Sequence, residues 1–184
     1  VTQTGSVTYT VTYADTSGSG VSAITLASGN VTLNRTGSAD GTLAVSGSGT
    51  ATRTITISGI TGDGTLGISV ASGTATDAAG NAAGAAGPST TFTVDNSAPT
   101  LSISAPSAAF TKTASVSYTV TYADTDGSGI NAITLAAADI TLNRTGTANG
   151  TVAVSAPGGT VRTVTISGIT GDGTLGISIA AGTA

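Results

Sequence analysis

Residues 1–75 recur as residues 110–184, aligned without a gap at an offset of 109 and identical at 53 of 75 positions. The stretch "SVTYTVTYADTSGSG" (6–20) returns as "SVSYTVTYADTDGSG" (115–129), and "TISGITGDGTLGIS" (56–69) returns unchanged at 165–178. Residues 76–109 occur once, so a full unit is 109 residues long and the chain holds fewer than two of them. Where the copies differ in apolar residues the swaps nearly conserve volume: Val21/Ile130, Val31/Ile140, Leu43/Val152, Ile55/Val164 and Val70/Ile179. Such swaps keep a core filled at small cost. Both copies must therefore adopt one fold, each packed by itself.

That fold is legible in a period of two. In "SVSYTVTY", Val116, Tyr118, Val120 and Tyr122 share one face and Ser or Thr the other, the pattern of a half-buried strand. The same alternation runs through Ile24/Leu26, Val31/Leu33, Leu43/Val45, Ile55/Ile57, Leu66/Ile68/Val70, Phe92/Val94 and Leu101/Ile103. Between these runs stand "DTSGSG", "NRTGSADG", "SGITGDG" and "DAAGNAAGAAGP", all turn chemistry. No segment carries a helical stripe. About eight short, evenly spaced strands in a hundred residues predict an antiparallel sandwich. The 38 threonines fit this reading, because a β-branched residue suits a pleated surface and its hydroxyl keeps the outer face wet. Arg53 and Arg162 fall in phase with core positions and are expected to lay their stems over the open end of each sandwich.

Set in a seven-strand immunoglobulin-like order, "SVSYTVTY" reads as strand B, "INAITL" as C, "RTITIS" as E, "TLGISV" as F, "STTFTV" as G and "TLSIS" as A of the following unit. The expectation is an all-β fold of two tandem immunoglobulin-like antiparallel β-sandwiches, over 1–96 and 97–184, the first without strand A and the second without strand G. Open strands at both ends would leave pairing edges bare, so the chain is expected to be a window on a longer tandem array. A strand donated by a neighbouring molecule is the competing explanation.

Charge excludes other classes. Five basic residues, nine Asp, no Glu and a net charge of -4 oppose binding to nucleic acid. No apolar run approaches the roughly 18 residues of a membrane helix, so no membrane insertion is expected. Cys is absent, which removes any disulfide framework. No signal-peptide pattern is present, so an export signal is expected outside this sequence.

The motifs "YADTDGSG", "GITGDGTLGIS", "TDAAGN" and "TVDNSAPT", in this relation to one another, resemble the bacterial immunoglobulin-like repeats of very large surface or secreted adhesins. The resemblance spans the whole chain. It implies a stalk module between a cell anchor and a distal binding domain, an extracellular location, neighbouring repeats of the same chain as partners, and calcium as the candidate cofactor at domain junctions. The adhesive target is not encoded.

In such a sandwich the B–C and F–G loops share one end, where strand A also starts. This groups Asp95 and Asn96 of "VDNSAP" with Asp124 and Asp126 of "ADTDGSG", and in the first copy it groups Asp15 with Asp77 and Asn81. Carboxylate and amide oxygens without His or Cys suit Ca²⁺, which takes six to eight oxygen ligands. In the first copy Ser17 stands where the second has Asp126, and turn chemistry alone accounts for Asp and Asn at such positions. Asp63 and Asp172 of "TGDGT" read as turn residues.

Catalysis fails on inventory. Without His, Cys or Glu no nucleophile–His pair can be built, and Asp124 and Asp126 flank a turn rather than a cleft. The single lysine, Lys112, aligns with Gln3, which argues against an internal Lys–Asn crosslink. Three glycosylation sequons begin at Asn30, Asn34 and Asn143 and are read as chance in a chain this rich in Thr. The expected function is a non-catalytic extender of a long extracellular protein. The alternatives are a subunit of a self-assembling homopolymeric filament or sheath, and a glycan- or surface-binding module carried on the Thr-x-Thr faces.

Overall fold

The computed structural model describes residues 5–16, 18–112, 114–125 and 128–184, with backbone alone at 156 and 157. Asp126 and Ser17 lie outside the described residues. The chain divides into two compact units, one containing the residues up to Ser97 together with Ser128, the other the rest from Ala98. Both are all-β, with antiparallel sheets and a β-sandwich-like arrangement. Among the described residues the only helical segments are single 3₁₀ turns at Ser28–Asn30 and Ala137–Asp139.

The first unit contains β1 (Val7–Thr12), β2 (Val21–Ile24), β3 (Val31–Arg35), β4 (Asp40–Ser46), β5 (Thr52–Thr61), β6 (Gly64–Val70), β7 (Ala75–Asp77) and β8 (Phe92–Val94). They form sheets ordered β1-β5-β4 and β3-β6-β8, with β2-β7 as a separate pair. The period-two pattern decides what faces inward. Ile55, Ile57 and Ile60 from the first sheet meet Val31, Leu66, Ile68, Val70 and Val94 from the second in one buried cluster. Burying a side chain of this size contributes about 1.5–3 kcal/mol, and the outward Thr residues keep the other faces hydrated.

The second unit contains β9 (Thr100–Ile103), β10 (Val116–Ala123), β11 (Ile140–Arg144), β12 (Asn149–Gly158), β13 (Val161–Thr170) and β14 (Leu175–Ile179). Its sheets run β12-β13-β10-β9 and β11-β14. Register repeats with the sequence. Val7 faces Ile57 as Val116 faces Ile166, and Val31 faces Val70 as Ile140 faces Ile179. A separate cluster of Val116, Tyr118, Val120, Tyr122, Leu135, Val164 and Ile166 forms this unit's core. One polar feature recurs inside both units. The Tyr13 hydroxyl donates to Thr74 Oγ1 at 2.8 Å, and Tyr122 and Thr183 repeat the hydroxyl pair at 2.8 Å. Burying a tyrosine is tolerable because its hydroxyl finds this partner.

Two details depart from the strand reading. The run at 21–26, read as strand C, does not pair with β6; β3 takes that place, and β2 instead joins β7, which lies in the segment read as a loop. In the second unit Ile130–Leu135 is not a strand at all. The reason is pairing: alternation marks a residue's two faces but not its neighbour, and among the described residues Ile130–Leu135 has no counterpart of β7 beside it.

The arginines behave as their phase suggests. Arg53 Nη1 donates to the carbonyls of Gly49 and Thr52 at 2.9 and 2.8 Å, and Nη2 reaches Ile24 O at 3.3 Å. Arg162 repeats this with Gly159 and Val161, at 3.1 and 2.8 Å. Each guanidinium closes the end of its sheet by taking up backbone carbonyls.

Candidate functional site

Asp15, Asp77 and Asn81, grouped by sequence, do come together in the first unit, lining one cavity of about 180 Å³ with Tyr13, Val21 and Ala83. The chain reaches this geometry through β7. Residues after Asp77 fold back so that Asp77 N–H donates to Asn81 O at 3.0 Å, while Asn81 N–H and Nδ2 donate to the Asp77 carboxylate at 2.7 and 2.8 Å. The "DAAGN" spacing thus closes a tight carboxylate-capped turn. The Asn81 side chain and backbone, with lesser help from Ser19 and Ala79, hold the Asp77 carboxyl below its ordinary value.

Asp15 is bound in the same manner. Its Oδ2 accepts from Ser19 N–H and hydroxyl at 3.1 and 3.0 Å and from Gly20 N–H at 2.8 Å. Both carboxylates are half-buried and already receive donors. Two carboxylates could give a cation at most four oxygens, so Ca²⁺ would need the Asn81 amide oxygen, carbonyls and water as well. Among the described residues no group of three or more acidic side chains is arranged to hold a metal.

Asp95 and Asn96 follow β8 and also serve this unit. Asp95 is buried at 6% exposure. Its Oδ1 accepts from Ser97 N–H at 3.1 Å and its Oδ2 from Ser128 N–H at 3.0 Å. The Ser128 hydroxyl first, then the Ser97 N–H, lowers its carboxyl below the ordinary value, against the opposing effect of burial. Asn96 N–H donates to Asp63 Oδ1 at 2.6 Å, and Asn96 Nδ2 donates to Gly62 O at 2.6 Å. Asp124 is half-buried in the second unit.

Asp63 is the residue whose role sequence reading missed. It sits in the β5–β6 turn, as expected, but its carboxylate binds the chain 33 and 34 residues later, at Asn96 N–H and Ser97 Oγ (3.2 Å). Its flanking glycines make the turn: Gly62 has φ +71°, and a β-carbon there would land on the Ser38 carbonyl. The motif "GDG" signals the turn, yet nothing local names a partner that distant. The sequon asparagines serve structural ends: Asn34 and Asn143 each donate to a serine across the strand pair, Ser69 at 2.8 Å and Ser178 at 2.7 Å.

Compared with known protein families, with curated proteins and with solved structures, the chain matches none of them significantly.

Proposed function

We propose that the chain is a non-catalytic extender: two repeat units of a long extracellular protein of the bacterial immunoglobulin-like kind, contributing length rather than chemistry. The observation that carries this reading is the duplication of structure. Each unit gathers a core of its own, with pairings that repeat at the sequence offset of 109, and this is what a modular spacer needs. The order β9-β10-β13-β12 supports the immunoglobulin-like assignment, since it corresponds to an A-B-E-D sheet. Single-molecule stretching tests it. Two separate unfolding events are expected, each releasing about 3.3–3.6 Å per residue. One merged event, or saturable binding on a glycan array, would replace this reading with a fused fold or a binding module.

Calcium enters as a second reading, favoured by the cavity that Asp15, Asp77 and Asn81 share. There a cation would replace N–H and O–H donors as the partner of two carboxylates and stiffen the loops that carry them. Melting with calcium and with chelator distinguishes a binding loop end from a merely hydrogen-bonded one.

A further inference from the structure

The two copies differ at one edge, covered in the first unit and open in the second. In the first unit β8 lies antiparallel on β6, placing Phe92 opposite Leu66, Thr93 opposite Thr65 and Val94 opposite Gly64. The residues before β8 continue along that edge. Ser89 N–H donates to Ile68 O at 2.8 Å, Ser89 Oγ accepts from Ile68 N–H at 2.9 Å, and the Tyr9 hydroxyl donates to Thr90 O at 3.0 Å. Contact is close: a β-carbon on Gly67 would lie 3.0 Å from Thr91 Cγ2 and 3.1 Å from Ser89 Oγ.

The second unit carries the same edge residues, Gly173-Thr174-Leu175-Gly176-Ile177-Ser178, in the same register against β11. Among the described residues β14 has β11 on one side and no strand on the other. A β-carbon on Gly176 would meet nothing within 4 Å. Leu175 is half-buried where Leu66 is fully buried, and the Tyr118 hydroxyl turns to the Leu175 carbonyl at 3.3 Å. Beside this edge lies a cavity of about 380 Å³ lined by Tyr118, Ile166, Ile169 and Leu175, with Phe110, 95% exposed, also on its wall. Asp172, the counterpart of Asp63, is exposed.

We propose that the outer edge of β14 is an acceptor groove for one antiparallel β-strand with the chemistry of Ser89–Ser97, supplied by another repeat unit. Identical edge residues in identical register present the same row of backbone donors and acceptors, and strand addition satisfies them while side-chain pockets select the sequence. The incoming aromatic ring sits opposite Leu175 and covers the apolar cavity. The aliphatic residue two places on sits opposite Gly173, the Tyr118 hydroxyl shifts to an incoming carbonyl, and the Asp172 carboxylate accepts the Asn N–H that follows. This holds whether or not the chain acts as an extender.

The test titrates the full chain with a synthetic peptide of residues 88–97, read by fluorescence anisotropy and by hydrogen exchange. Saturable binding is expected, with slowed exchange at the Ile177 amide. Gly176→Val should weaken binding at least tenfold while leaving the free chain's melting unchanged, since space at Gly176 is open and valine suits a strand. A peptide with alanine in place of its phenylalanine should bind equally weakly. Absence of saturable binding at millimolar peptide, or equal binding by Gly176→Val, would overturn the proposal. So would a concentration-dependent dimer that Gly176→Val abolishes without any peptide binding, because that assigns the edge to a whole second copy.

Discussion

The Asp63 carboxylate receives the backbone N–H of Asn96 at 2.6 Å, joining the β5–β6 turn to the chain just past β8. Ser97 Oγ reaches the other carboxylate oxygen, and Asn96 Nδ2 reaches the Gly62 carbonyl, so a single turn fastens the last strand of the first unit at three points. A short strand of three residues holds few ladder bonds of its own. Its position therefore depends on this anchor as well as on the burial of Val94.

Asp63→Ala should destabilise the first unit by about 1–2 kcal/mol, the usual range for losing hydrogen bonds to a charged, partly exposed group. Urea unfolding would report the loss, and hydrogen exchange should accelerate at Asn96. Asp172→Ala removes an exposed side chain and is expected to leave stability within about 0.5 kcal/mol of the parent. Equal effects of the two substitutions would show that the anchor contributes nothing.

Ile57 and Ile166 occupy equivalent core positions, at 0% and 1% exposure. Either residue changed to alanine should cost about 2–5 kcal/mol. Because the units have separate cores, each substitution should lower the melting of its own unit only. Calorimetry of the two variants checks this: a single transition lowered in the same way by both would refute separate cores.

The lowered carboxyl of Asp77 fixes the sign of an acid effect. Its hydrogen bonds from Asn81 favour the ionised form in the folded state, so the stability they contribute is present above the unfolded-state value near pH 4. It disappears as pH falls through the still lower folded value. Asp95, held down by Ser128 and Ser97, adds in the same direction. Denaturation midpoints should therefore drop between about pH 4 and pH 2, and Asp77→Asn should show a shallower drop than the parent. Superimposable pH profiles would remove Asp77 from the account.

Calcium binding at the Asp15–Asp77 loops would have extracellular strength, a Kd on the order of 10⁻⁴–10⁻³ M. At about 10 mM calcium this stabilises the first unit by roughly 1.4–2.7 kcal/mol. The melting temperature should rise relative to chelator, and Asp15→Ala with Asp77→Ala should abolish the rise. Identical melting in calcium and chelator would exclude the metal at these loops.

Sequence alone determined the repeat, the strand class and which face of each strand is apolar, because these follow from identity at a fixed offset and from a side-chain period of two. It also grouped Asp15 with Asp77 and Asn81, since loops at one end of a sandwich are neighbours whatever their sequence. Pairing was decided by the tertiary structure. Alternation is the same for every apolar strand, so it could not tell that β3 rather than β2 lies beside β6, or that Ala75–Asp77 would pair while Ile130–Leu135 would not. Nor could it assign Asp63 to Asn96: a carboxylate in a turn accepts from whichever N–H the packed core brings within reach, and that distance exists only once two sheets have closed over their shared interior.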